Sequence, residues 1–194
     1  MVFGCKKAPA PANTQGPTLI PPAATPSARA LVTPASSASP VEVTWVDPPE
    51  WKRSEHPRPM RKATYVIPHA SSDKEDGELG VFYFGPGQGG GVEANVDRWV
   101  KQFPDVKLED VKRADRSVNG LVAHTVEIES ASFNAGSMGM PQPKAEPKAN
   151  YGLLGAIVET PGGAYFFKLT GPKATVAAAK APFDKLIESV RTSG

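Results

Sequence analysis

Asn119-Gly120-Leu121-Val122-Ala123-His124-Thr125-Val126-Glu127-Ile128-Glu129 is the stretch whose reading decides the fold. Asn119 and Gly120 both tolerate positive φ, as a two-residue hairpin turn demands, and a β-branched, alternating run follows at once. The pattern predicts a strand over residues 121–129, with Val122, His124, Val126 and Ile128 on one face, paired back onto a strand at residues 110–116. A second hairpin is written as residues 153–159, the turn Thr160-Pro161-Gly162-Gly163, and residues 165–169. Two tight hairpins in succession require antiparallel pairing, because parallel neighbours need a long crossover.

Upstream, residues 42–46 read as a short strand stopped by Asp47-Pro48-Pro49, and residues 62–68 as another, where Ala63, Tyr65 and Ile67 alternate with Thr64 and Val66. Residues 79–84 form a continuous apolar run, the signature of a strand covered on both faces. Beyond the glycine-rich residues 85–91, Val92, Val96, Trp99, Val100 and Phe103 recur at helical spacing until Pro104. A closing helix is expected from Pro172, with Val176, Ala179, Phe183, Leu186 and Val190 inward and a kink or restart near Ala181 imposed by Pro182. Residues 132–149 lack periodicity and are expected to be a mobile loop. The fold class predicted is α+β, a mainly antiparallel sheet flanked by helices.

Apolar residues are sparse before Val41 and plentiful after it, so a single domain is expected over residues 41–194. Its 19 basic and 20 acidic side chains form no basic stripe, which argues against nucleic acid as a partner. No run of about 18 apolar residues exists that could cross a membrane as a helix.

The single cysteine, Cys5, follows Val2-Phe3-Gly4, so no intramolecular disulfide can form. Residues 1–7 resemble the end of a bacterial lipoprotein signal peptide, with a small residue immediately before the cysteine that receives lipid; the natural start is expected upstream of Met1. Of the 33 residues over 8–40, 25 are Pro, Ala, Ser or Thr, a composition unable to bury enough surface to offset chain entropy. A disordered tether is expected there, spanning roughly 30 Å as coil and roughly 100 Å as extended polyproline helix. Lys6 after Cys5, where Asp would signal retention at the inner membrane, places the expected anchor at the outer membrane, facing the periplasm.

Trp45 and Trp51, Gly85-Pro86-Gly87-Gln88-Gly89-Gly90-Gly91, Val92-Glu93-Ala94-Asn95, Arg98-Trp99, Gln102-Phe103, Leu153-Leu154-Gly155-Ala156 and Phe166-Phe167-Lys168-Leu169-Thr170-Gly171-Pro172 together make a pattern. It resembles a group of uncharacterised bacterial lipoproteins over about 150 residues. The element order is similar to the PsbP-like fold, an α/β/α sandwich. The resemblance implies an accessory binding or assembly module rather than an enzyme, and carries over no site residue.

Gly85, Gly87 and Gly90 satisfy G-x-G-x-x-G between a strand and a helix, but Pro86 removes a donor, no lysine completes a phosphate loop, and Glu93 puts negative charge in the first turn. The glycines are better read as a sharp structural turn, with Gly87, Gln88 and Gly89 as a candidate binding surface and Trp51 as an accessible indole beside it. Trp45 is a lesser candidate for stacking on a sugar ring, and Trp99 reads as core. His124 reads as a satisfied, partly buried histidine in preference to a catalytic base, and the three histidines lack zinc spacing. No catalytic residue, metal or cofactor is expected. The expected function is a lipid-anchored envelope protein, held to membrane lipid through Cys5, that binds an envelope protein or glycan. An enzyme acting on envelope lipids or glycans and a passive spacer are the alternatives.

Limited proteolysis tests the boundary: cleavage is expected within residues 8–40, leaving a stable fragment that begins near Val41, and protection of residues 8–40 would refute the tether.

Overall fold

The computed structural model describes residues 42–56, 58, 60–134 and 146–193. Cys5 and the proposed tether lie outside these residues, as does the stretch 135–145 of the expected loop. Nine strands and two α-helices are described: β1 (Val43–Thr44), β2 (Lys52–Arg53), β3 (Arg61–Ile67), β4 (Gly77–Tyr83), α1 (Val92–Val100), β5 (Lys112–Val118), β6 (Leu121–Phe133), β7 (Lys148–Glu159), β8 (Tyr165–Pro172), α2 (Lys173–Glu188) and β9 (Arg191–Thr192).

Seven strands form one sheet in the order β2-β3-β4-β8-β7-β6-β5, antiparallel at every pairing. The Asn119-Gly120 turn joins β5 to β6 with Val118 opposite Leu121, and both turn residues have positive φ. The predicted second hairpin joins β7 to β8. The chain then closes the sheet by laying β8 against β4, which positions the glycine-rich segment after β4 beside the turn between β7 and β8.

Side-chain alternation along the strands sends one set of residues to each face, and each face receives one helix. Tyr65, Leu79, Val81, Ala156, Phe167 and Leu169 pack with Val176, Ala179, Phe183 and Leu186 of α2. On the other face Val126, Ile128, Leu153, Ile157 and Phe166 pack with Val96, Trp99 and Val100 of α1 and with Phe103. The architecture is α+β, an antiparallel sheet between two helical layers. Gly155 admits the indole of Trp99: a Cβ at this position would stand 2.4 Å from the ring.

Helix α2 has no side-chain cap of its own, and its first turn is satisfied from elsewhere in the chain. Asp73 accepts from both the backbone N–H and the hydroxyl of Thr175, at 2.7 and 2.6 Å. A carboxylate there also complements the positive end of the helix.

Several expectations need correction. Of the kink or restart expected near Ala181, the restart does not occur: α2 runs through Pro182 as one 16-residue helix. The residue four positions before it, Ala178, lies on the exposed side, where water can satisfy the carbonyl that loses its partner. The strand expected at residues 42–46 shrinks to β1, which pairs with β9 in a separate two-stranded sheet. Strands β6 and β7 extend to Phe133 and from Lys148, so part of the expected loop over residues 132–149 is sheet, shaped by register shifts beyond Ile128.

Replacing Gly155 with Ala forces Trp99 to move, and a loss of about 1–3 kcal/mol is expected. Urea unfolding of the variant should show a lower midpoint with an unchanged slope; an unchanged midpoint would mean that the contact is not tight.

Candidate functional site

The turn after β4 is built by glycines that take conformations closed to other residues. Gly85, Gly87, Gly89 and Gly90 all have positive φ, and Gly89 lies against the rings of Phe166 and Phe84, 2.8 Å from the nearer one at the position of a Cβ. Gln88 N–H donates to Gly85 C=O at 3.2 Å and closes a tight turn that leaves Pro86, Gly87 and Gln88 exposed.

Asn95 holds the turn from below. It is 2% exposed, in the first half of α1, and its Nδ2 amide donates to the carbonyls of Gly89, Gly90 and Gly91 at 2.8, 3.2 and 2.9 Å. Three consecutive carbonyls converge on one amide, so the backbone here gathers acceptors around a donor, the reverse of a phosphate cradle. Glu93 in the first turn of α1 is engaged by Arg113, whose two terminal nitrogens donate to its carboxylate at 3.0 and 2.5 Å. That guanidinium holds the Glu93 carboxyl below the usual range. A bound anion at this helix end would meet the Glu93 carboxylate, which further disfavours phosphate.

Trp51 does not join this surface. It is 7% exposed and packs against Tyr65 on the α2 side of the sheet, because the turn at Pro48 folds it inward and its backbone N–H donates to Pro48 C=O. The accessible indole expected from its polar, proline-rich neighbourhood is therefore corrected to a core residue. Trp45 Nε1 donates to Tyr65 Oη at 2.8 Å, and the phenol donates to Asp47. Burial and the Asp47 carboxylate push the Tyr65 phenol up to about 12. Trp99 belongs to the opposite core, so the three indoles form no common surface.

His124 lies on the α1 side of β6, 22% exposed at its side chain, between two carboxylates from neighbouring strands. Its Nδ1 is 2.8 Å from Asp115 Oδ1 on β5, and its Nε2 is 3.5 Å from Glu159 Oε2 on β7. Asp115 is its direct cross-strand partner. Nε2 is itself enclosed and has no hydrogen-bond partner at ordinary distance among the described residues. Burial opposes protonation of the ring, but the hydrogen bond to Asp115 and the negative charges of Asp115 and Glu159 outweigh it and hold the pKa above the ordinary histidine value. With a carboxylate on each side, the ring is arranged to be a paired cation. A general base would need a neutral nitrogen facing a substrate.

Sequence reasoning placed His124 on its correct face but missed Asp115 and Glu159, which become its neighbours only through pairing with β5 and β7. It also missed Asn95 as the organiser of the turn. A short amide four residues into a helix that follows a glycine run was the available signal.

No protein-family model matches the chain, and neither does any curated protein. Among solved structures, the chain is similar in fold to the solution structure of cyanobacterial PsbP (CyanoP) from Synechocystis sp. PCC 6803, with 13% sequence identity and a TM-score of 0.45, over 84% of this chain and 99% of that one.

The histidine makes a pH prediction. Because the pKa of His124 is raised by folding, its contribution to stability is fully present below the ordinary value of 6.5 and is lost as pH rises through the higher folded value. Urea midpoints measured from pH 5 to 9 should therefore fall less steeply in His124→Gln than in the parent chain across that window. Parallel curves would show that the ring is not a paired cation.

Proposed function

We propose that the chain is a lipid-anchored protein of the bacterial cell envelope whose folded domain is a non-enzymatic binding module. In this reading Cys5 carries the lipid, residues 8–40 span the gap from the membrane, and the domain meets an envelope protein or glycan in the periplasm, most simply from the outer membrane. The observation that carries the binding role is the clamping of the glycine turn by Asn95. A flexible glycine-rich segment loses entropy when it binds, whereas a turn already held by three hydrogen bonds loses little. The exposed tip, Pro86, Gly87 and Gln88, is thus presented as a preformed contact. Gly89 belongs to its base, pinned between aromatic rings.

The pairing of His124 with carboxylates favours a second reading, an enzyme acting on envelope lipids or glycans. The enclosure of Nε2 and the raised pKa weigh against it, since both favour a structural ion pair over proton transfer to a substrate.

The test combines anchor and tip. Expressed behind a full lipoprotein leader, Cys5→Ser should move the protein from the membrane to the soluble fraction; retention at the membrane would refute the anchor. A photocrosslinking residue at Gln88 in intact cells should yield one discrete adduct, reduced several-fold by a second change, Asn95→Ala, and lacking when the probe sits at exposed Lys74. Equal yields from both positions would refute the tip as a contact, and a passive spacer would give no adduct from either.

A further inference from the structure

Lys168 places a cation where the surroundings do not favour one. It projects from β8 on the α1 side of the sheet, directly opposite Gly80 on β4 and Gly155 on β7. Neither neighbour has a side chain, and aromatic rings close over both: Phe82 comes within 2.8 Å of the place where a Gly80 Cβ would stand, and Trp99 covers Gly155. The lysine therefore runs in a trough between two rings. Its Nζ donates to Oε1 of Gln102, itself 1% exposed, and lies 5.7 Å from the centroid of Phe133. Among the described residues it forms no ion pair.

A second cation stands next to it. Nη1 of Arg61 is 3.3 Å from the Gly80 Cβ position, so the guanidinium overlies the residue paired with Lys168. Arg61 donates to Thr64 and to Glu78, and the same Glu78 carboxylate also pairs with Arg58. Two arginines thus share this one carboxylate, and Lys168 beside them has no ion-pair partner of its own among the described residues. Burial, and then the repulsion from Arg61, lowers the pKa of Lys168 to about 8. At that pH its amine is about half neutral, which exceeds the neutral fraction of an ordinary lysine by roughly a hundred-fold.

We propose that the Lys168 amine is a carbamylation site that takes up carbon dioxide. The ammonium first gives its proton to water. The nitrogen lone pair of the resulting amine attacks the carbon of CO2, an N–C bond forms, one C=O π pair moves onto oxygen, and a second proton leaves the nitrogen. The product is a carbamate anion; two protons are released, and nothing is oxidised or reduced. The exchange removes what is unfavourable in the patch. The formal charge of Arg58, Arg61, Lys168 and Glu78 falls from +2 to 0, and the repulsion between Lys168 and Arg61 becomes an attraction. By turning its amide group over, Gln102 can donate an N–H where it now offers oxygen, so the buried partner of the ammonium also suits the carbamate. Carbon dioxide is small enough to reach the amine without a preformed pocket, and no other co-reactant is needed.

The full chain is equilibrated with 13C-bicarbonate near pH 8, ethylated with triethyloxonium to trap carbamates as stable esters, digested and analysed by mass spectrometry. The expected result is a 13C ethyl carbamate on the peptide containing Lys168, at an occupancy at least five-fold above that of any other lysine. Arg61→Gln should lower this occupancy, and Lys168→Arg should abolish it. Because the main reading is taken on the unaltered chain, it stands even if a variant folds poorly. A Lys168 peptide unlabelled, or labelled no more than surface lysines, overturns the proposal.

Discussion

Strand β7 carries eight consecutive buried residues, Tyr151 to Val158, so neither of its faces can be left to water. An alternating strand would need one covering layer; this one requires two, and much of the architecture follows from meeting that demand. Its neighbours β8 and β6 supply the ladder, α2 covers one face, and α1 with Phe103 covers the other. Glycines within the ladder set how closely the layers approach. Gly155 lets the Trp99 ring down onto the sheet, and Gly152 comes within about 3 Å of the Ile128 and Glu129 carbonyls at the position of a Cβ.

The central sheet also explains where polar chemistry gathers. At the β5 edge the sheet is thinly covered, and charged side chains from three strands and the first turn of α1 assemble around His124 and Arg113. A charged edge of this kind discourages pairing with a second chain. Lys168 has the opposite placement, on a central strand beneath aromatic rings, where its charge is costly. Paired charges at the rim and a strained cation at the centre are two outcomes of one rule: a charge settles according to the water and counterions within reach.

The glycine turn shows how a motif can be legible while its use is not. Gly85, Gly87 and Gly90 announce a turn between a strand and a helix, and that turn is present with positive φ at all three. The same letters suit a phosphate loop. What separates the readings is the direction of the backbone, and here Asn95 draws three carbonyls toward itself. The exposed indole expected at Trp51 failed for a related reason. Local polarity suggested a surface position, but the chain reverses at Pro48 and carries the ring onto Tyr65.

Taken alone, the amino-acid order determined what depends on neighbours within a few residues: the Asn119-Gly120 hairpin, the doubly covered apolar strands, both helices with most of their inner faces, Phe103 and Val190 being buried just beyond the helix ends, and hence an antiparallel α+β fold. These features arise from φ preferences and from the 2.0 and 3.6 periodicities, which are properties of short segments. Tertiary structure alone decided which distant segments meet. It brought β8 against β4, paired β1 with β9 at the two ends of the domain, supplied Asp73 to cap a helix 102 residues away, and set Asp115 and Glu159 around His124. No local pattern encodes such contacts, because they are chosen by the burial of whole faces, whose free energy is shared across the chain and resides in no single stretch of it.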